Sequence, residues 1–314
     1  MQEVMSDVRK ILVIGSLNLD IVAKTDHIPA VGETVIAQYG GQFGGGKGAN
    51  QACAAAKLGG EVTMLGAVGN DDAGDFLLSG LTDSGVKVEH IKRVPGKPSG
   101  QAWIVLDKHG DNSIIVLPGA NACVDIAYLE SKRTVIENAD IIIMQLEIPT
   151  QSVCYAASLA KSLGKTVILD PAPAVPDLPG ELLSNTDYIK PNQSELELLT
   201  GCPPGDYQKG AEQLITRGCR NVIVSLGERG AFCHESGRKP FHKAAHPVKA
   251  VDTTAAGDSF LAAFALGLAR GEEVWAAIDF AQRVAAIVVT RSGAQSSIPT
   301  AAELKPPVDR AARI

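Results

Sequence analysis

Short runs of consecutive apolar residues recur along the chain, and most of them stop at glycine or at a polar turn residue. Residues 10–16, KILVIGS, form such a run ending in Gly15 and Ser16. A short β-rich apolar stretch of this kind reads as a buried strand. Residues 49–59, ANQACAAAKLG, predict an alanine-rich helix stopped by Gly59, and 62–69, VTMLGAVG, predict the next strand. Residues 72–85, DAGDFLLSGLTDSG, predict a second helix. From residue 139 the alternation continues. ADIIIMQLE predicts a strand, TQSVCYAASLAKSLG a helix, KTVILDPAP and DYIKPN strands, QSELELLTG and YQKGAEQLITRG helices, and NVIVSLG a strand. Residues 259–269, SFLAAFALGLA, look like one more helix destined for the core. Repeated strand–helix alternation with wholly apolar strands predicts an α/β fold, a parallel sheet covered by helices on both faces.

Two stretches break that rhythm. Residues 17–43 and 99–118 are rich in strand and turn signals, with no helical pattern inside either stretch. They predict a small antiparallel sheet attached to the main body, serving as a lid, a dimer surface or both. No repeat, low-complexity segment or polar linker interrupts the chain, so residues 1–314 are expected to form one domain with the lid inserted.

Composition narrows the class. In 314 residues, 45% are hydrophobic and 20% charged, enough for a substantial core. The net charge of −6 argues against a general nucleic-acid binder, while leaving room for a local basic pocket. The six cysteines show no C-x-x-C pair and fit reduced thiols. The N-terminal residues do not resemble a signal peptide, and no run reaches the roughly 18 apolar residues of a membrane span. A cytoplasmic protein is expected.

The chemistry-bearing residues gather in a few places. In residues 251–260, VDTTAAGDSF, Asp258 follows Ala255, Ala256 and Gly257 at the start of the predicted helix. Helix capping alone would explain an aspartate there. Residues 41–50, GQFGGGKGAN, match the first part of a P-loop, but Gly48 stands where the Mg²⁺-binding Ser or Thr would be. A P-loop is therefore rejected. Glycines here let a hydroxyl-rich ligand approach the backbone, beside Lys47 and Asn50. Asn18 and Asp20 share one face if their segment is extended, and with Asn50 and Glu147 they are suitable groups for a polyol. Asn192 and Glu195 are three apart at a strand-to-helix junction, which fits either a capping box or a site holding water or Mg²⁺ near phosphate. Residues 225–231, SLGERGA, are a strand end with a glycine turn. No G-x-S-x-G elbow or metal-spaced histidine set supports hydrolase chemistry.

The motifs GSLNLD, GETV, GGKGANQA, MQLE, DPAPA, KPNQSE, SLGERG, VDTTAAGDSF and TRSGAQSSIP occur in this order from about residue 10 to 300. In this the chain resembles the PfkB carbohydrate kinase family, and within it the branch that phosphorylates ribose. The resemblance implies a three-layer α/β/α sandwich around a mainly parallel sheet, a β lid, and a homodimer clasped through the lids. It implies transfer of the γ-phosphoryl group of ATP to the 5-hydroxyl of D-ribose. Carried over by motif, Asn18, Asp20, Gly46, Lys47, Asn50, Glu147 and Asp258 would face the sugar. Asn192, Ser225, Gly227, Glu228, Gly230, Gly257 and Gln282 would line the nucleotide side. Asn192 and Glu195 would serve Mg²⁺, chiefly through water. Asp252, Thr254, Val288, Arg291, Gly293 and Ser297 would surround K⁺, largely through backbone carbonyls. Two departures stand out: Gly44 makes three glycines before Lys47, and Gln282 lies where the family varies.

Under that resemblance, Ala255, Ala256 and Gly257 are small so that phosphate can approach N–H groups at a helix N-terminus, an anion hole. Asp258 would then accept the proton of the sugar hydroxyl as its oxygen attacks phosphorus. A 2-deoxyribose kinase, another sugar or nucleoside kinase, and a non-catalytic sugar-binding protein are the competing expectations.

Overall fold

The computed structural model describes residues 9–304. Residues 1–8, the first part of the segment read for a signal peptide, lie outside the described residues. The elements run β1 (Ile11–Ile14), β2 (Asn18–Lys24), β3 (Gln38–Gly45), α1 (Lys47–Lys57), β4 (Val62–Leu65), β5 (Ala67–Gly69), α2 (Asp72–Asp83) and β6 (Lys92–Val94). Next come β7 (Gly100–Leu106), β8 (Asn112–Leu117), α3 (Ile126–Ser131), α4 (Arg133–Glu137), β9 (Ile141–Met144), α5 (Thr150–Ser162), β10 (Thr166–Leu169) and α6 (Gly180–Ser184). The chain ends with β11 (Tyr188–Ile189), α7 (Gln193–Thr200), α8 (Tyr207–Thr216), β12 (Asn221–Ser225), β13 (Ala231–Glu235), β14 (Phe241–Lys243), α9 (Ala256–Ala269) and α10 (Val274–Val288).

Eight strands form the main sheet in the order β14-β13-β12-β11-β10-β9-β1-β4. The six from β12 to β4 are parallel, and β13 and β14 add an antiparallel edge. Alternation along each strand divides the core in two. Ile11 and Val13 of β1 pack with α1, α9 and α10, whereas Leu12 and Ile14 face the layer containing α5, α7 and α8. This is the period-two consequence of the pleat, and it explains why the strands read as continuous apolar runs.

Helix α9 is buried over most of its surface, from Asp258 to Leu266 without a break. Gly267 lets α10 come close, since a Cβ there would lie 2.8 Å from the Cβ of Ala277. The core therefore fixes the axis of α9, and with it the direction of its first turn.

Two readings of the pattern change. Residues 62–69 are two strands, not one: β4 belongs to the main sheet, while β5 pairs with β6 in a separate two-stranded sheet. The break falls at Gly66, where a Cβ would meet Leu17 Cδ1 at 2.5 Å and the Gly15 carbonyl at 2.8 Å. The small second sheet has the order β3-β2-β7-β8. Its outer pairs are antiparallel, as expected, but its central pair, β2 with β7, is parallel. The connection from β2 to β7 passes through the main body, so no hairpin could set its direction.

Candidate active site

The carboxyl ends of β1, β9 and β10 meet the N-termini of α1 and α9, the crevice where open parallel sheets bind ligands. Asp258 occupies the first turn of α9 and is only 7% exposed. Its predecessor Ala255 is left-handed, φ 58°, a conformation that costs a non-glycine residue about 1–2 kcal/mol. The turn delivers the chain into the helix with small side chains at Ala255, Ala256 and Gly257 around the dipole-positive end. Both oxygens of Asp258 accept amide hydrogen bonds: Oδ2 from Asn50 Nδ2 at 3.0 Å and Oδ1 from Gln51 Nε2 at 3.0 Å. Both amides come from α1, and they compensate the burial of a carboxylate that capping alone would leave at the surface.

The residues expected to face the sugar converge on the same crevice. Glu147 Oε2 accepts from Ser16 Oγ at 2.5 Å, from the Lys47 backbone N–H at 3.0 Å and from Asn18 Nδ2 at 3.5 Å. Asn18 is fixed on its other side by Asn121, whose Nδ2 donates to Asn18 Oδ1 at 2.8 Å. Asn121 also exchanges both its amide bonds with the backbone of Leu17. Asp20 projects beside Gly45 of β3, where a Cβ would come within 2.2 Å of its carboxylate. Burial, then the charges of Glu147 and Asp258, push the Asp20 carboxyl up to about 7.

Two lysines balance these acids. Lys47 Nζ lies 4.0 Å from Asp170 Oδ2, and Lys190 Nζ lies 3.8 Å from Asp170 Oδ1. Burial disfavours the charge on Lys47, but Asp170, Asp258, Glu147 and Glu195 outweigh it and hold its pKa above the ordinary lysine value. Lys190 Nζ also reaches the Gly257 carbonyl at 3.4 Å, directly behind the anion turn.

Asn192 and Glu195 form a reciprocal capping box on α7, with Asn192 Oδ1 accepting from the Glu195 N–H and Glu195 Oε2 accepting from the Asn192 N–H, each at 2.8 Å. The structural alternative raised by their spacing is thus present, and one oxygen of Glu195 is committed to it. Ser225 bridges to Asn192 across the strand ends. After it, Gly227, Glu228 and Arg229 make a single turn, and Gly230 has φ 97° with the Lys243 carbonyl 2.1 Å from where its Cβ would be. Gln282 of α10 donates to that carbonyl at 2.9 Å, while its buried Oε1 has no partner.

Of the six residues expected around potassium, side-chain hydrogen bonds join Asp252, Thr254 and Gly293. Asp252 Oδ1 accepts from the Thr254 N–H and Oδ2 from the Gly293 N–H, each at 2.9 Å, so one carboxylate staples the loop before α9 to the loop after α10. Burial opposes its charge, but hydrogen bonds from Thr254 and Gly293 prevail and hold its pKa below the usual carboxylate value. Ser297 is buried and turns its hydroxyl to the Ala294 carbonyl at 2.7 Å. Arg291 points outward to Glu303, at 2.7 Å, leaving only its backbone for an ion.

Residues 8–301 match the family described as pfkB family carbohydrate kinase. The chain belongs to that family. It is 39% identical to a ribokinase of Schizosaccharomyces pombe over 94% of this chain and 96% of the relative. It is 37% identical to a deoxyribokinase of Salmonella typhimurium over 92% of this chain and 95% of the relative. The structure of Arabidopsis thaliana ribokinase complexed with ribose and ATP superposes with a TM-score of 0.88 at 34% identity, covering 94% of this chain and 97% of that one.

As a PfkB family member the chain carries a central group that its motifs did not single out: Gln51, Asn121, Gln145, Asp170 and Lys190. All but Asn121 lie inside a motif, and every one of the five is buried. A polar residue destined for burial at a site looks no different in sequence from one left on the surface.

Proposed function

We propose that this protein transfers the γ-phosphoryl group of ATP to the 5-hydroxyl of D-ribose, giving D-ribose 5-phosphate and ADP. The observation that carries the reading is Asp258, buried at the N-terminus of α9 beside a small-residue turn, with both oxygens held by Asn50 and Gln51. A sugar-binding protein without catalysis has no need of a carboxylate beside an anion site. The Arabidopsis relative, complexed with ribose and ATP, supports the same pairing of ligands.

In this mechanism Asn18, Asp20, Asn50 and Glu147 hold the sugar hydroxyls, with Gly46 and Lys47 closing the pocket at the start of α1. Asp258 takes the proton from the 5-hydroxyl as that oxygen bonds to the γ-phosphorus. The bond from phosphorus to the β-bridging oxygen breaks, and ADP leaves. The N–H groups at the Ala255–Gly257 turn receive the phosphoryl oxygens, so the helix end stabilises charge where it accumulates. Ser225, Gly227, Glu228 and Gly230 form the nucleotide shelf, with Gln282 toward the base.

Mg²⁺ would arrive with ATP and neutralise phosphate charge. Glu195 has one oxygen outside its capping bond, so Asn192 and Glu195 fit water-mediated contact better than direct ligation. K⁺ would sit among Asp252, Thr254 and the carbonyls of Val288, Arg291, Gly293 and Ser297. The Asp252 staple between the two loops fits that role.

The reading extends to a homodimer joined through the lid, whose Trp103, Ile114, Ile115 and Leu117 are exposed. It extends also to a single catalytic unit in the cytoplasm, supported by six free cysteines. Among the described residues no helix is long and apolar enough to cross a membrane.

A second reading, 2-deoxyribose as acceptor, is favoured by the similarity to a deoxyribokinase. An ADP-release assay with Mg-ATP and K⁺, run across D-ribose, 2-deoxy-D-ribose, fructose and a nucleoside, separates the two. A higher kcat/KM for ribose, with ribose 5-phosphate as product, is expected. Preference for deoxyribose would replace the acceptor and keep the kinase chemistry.

A further inference from the structure

Gln51 is fully buried beside Asp258, and no role in holding sugar or ATP falls to it in the mechanism above. Its Nε2 lies 3.0 Å from Asp258 Oδ1 and 2.9 Å from Asp170 Oδ2. A primary amide nitrogen carries two hydrogens, and here each is directed at a different carboxylate. The amide cannot flip without turning its oxygen toward both acids. Gln145 secures this polarity by donating from its own Nε2 to Gln51 Oε1 at 2.6 Å.

Gln145 is equally constrained. It is buried, and a Cβ on Gly15 would come within 1.9 Å of its Oε1. Only glycine at the end of β1 leaves room for Gln145 to reach Gln51. That Oε1 has no hydrogen-bond partner, a cost accepted in order to aim the other end of the amide. The chain of constraint runs from Gly15 through Gln145 and Gln51 to Asp258.

We propose that Gln51 is a positioning residue for phosphoryl transfer: its amide, oriented by Gln145, locks Asp258 Oδ1 so that Oδ2, beside Asn50, faces the attacking hydroxyl. This inference rests on the kinase reading above and deepens it. Asp170 shares the same amide nitrogen, and its contacts with Lys47 and Lys190 tie the position of the base to the two cations of the site. Gln51 and Gln145, which hold neither sugar nor ATP in the mechanism above, thus fix the Oδ1 side of the base. A misplacement of the base by about 1 Å costs on the order of 10²-fold in rate.

The test is Gln51→Met, which keeps the length and volume of the side chain and removes both N–H donors. Wild type and variant are compared for kcat, for KM of sugar and ATP, for sugar affinity by calorimetry without ATP, and for thermal midpoint. A kcat lowered roughly 10- to 100-fold, with sugar affinity within about threefold of wild type, is expected. Gln145→Met is expected to lower kcat in the same way but less, because Gln51 keeps its donors and loses only its orientation; it also serves if Gln51→Met does not fold. Unchanged kcat in the variants would overturn the inference, as would a loss confined to thermal stability or to sugar affinity. The wild type run alongside keeps the two readings apart. If it uses another acceptor, the ribose assignment falls and the comparison is made with that acceptor. Failure to turn over any of them would sink the kinase reading, and this inference with it.

Discussion

Asn50 Nδ2 donates to Asp258 Oδ2 at 3.0 Å, although 208 positions separate the two residues in the chain. One sits in the first turn of α1 and the other in the first turn of α9, so two helix N-termini point into a single crevice. In the proposed mechanism this contact joins an amide that holds the sugar to the group that removes the proton. Asp258→Asn should therefore lower kcat by roughly 10²–10⁴-fold while sugar affinity, measured calorimetrically, stays close to wild type. Near-normal kcat would remove Asp258 from the role of base.

The pH dependence of stability reports on Asp20. Its carboxyl is pushed from 3.8 to about 7 by burial first, then by Glu147 and Asp258. The folded chain keeps this proton where the unfolded chain has released it. The corresponding stability is fully present below pH 3.8 and is lost as pH rises toward about 7. Asp20→Asn cannot titrate, so the stability of wild type relative to this variant should fall between about pH 4 and 7. Urea midpoints at both ends of that window measure the difference, and a constant difference would contradict the assignment.

Two glycines near one another should fail in different ways. A Cβ at Gly45 would strike the Asp20 carboxylate, whereas a Cβ at Gly48 would strike backbone, 2.6 Å from Ser16 N and 2.7 Å from Gly15 C. A carboxylate can swing aside and backbone cannot. Gly45→Ala should raise the KM for sugar with little change in denaturation midpoint. Gly48→Ala should destabilise the fold by about 1–3 kcal/mol.

The Asp252 staple predicts ion dependence. Initial rates should be higher in KCl than in NaCl at equal ionic strength, and Asp252→Asn should reduce the difference by slackening the loop that enters α9. Equal rates in the two salts for the wild type would remove the potassium assignment.

The lid predicts association. Light scattering at micromolar protein should give the mass of a dimer, and Ile115→Glu should return the mass of a monomer. A wild-type monomer would leave the exposed strand β8 unexplained.

Most of the main-sheet framework was legible in the pattern of apolar runs, because a strand buried on both faces and a helix buried on one each leave a short-range periodicity. The hairpin β13–β14 and helix α10 were not among the elements drawn from that pattern. The split of residues 62–69 into β4 and β5 was hidden because Gly66 interrupts nothing apolar; its role depends on the nearness of Leu17 and Gly15. The parallel pairing of β2 with β7 was hidden for a related reason. Strand direction across a long connection is settled by where the intervening chain packs, and no turn residue encodes it.

The sequence by itself determined the α/β class, the turn of small residues before Asp258 and the set of motifs that mark the family. Those features are local, or are carried whole by a short motif. Only the tertiary structure decided that Gln51, Gln145, Asp170 and Lys190 gather around Asp258, and that Asn121 holds Asn18 from 103 residues away. Buried polar groups acquire a role only from the partners that compensate their desolvation, and here those partners come from distant segments brought together by folding.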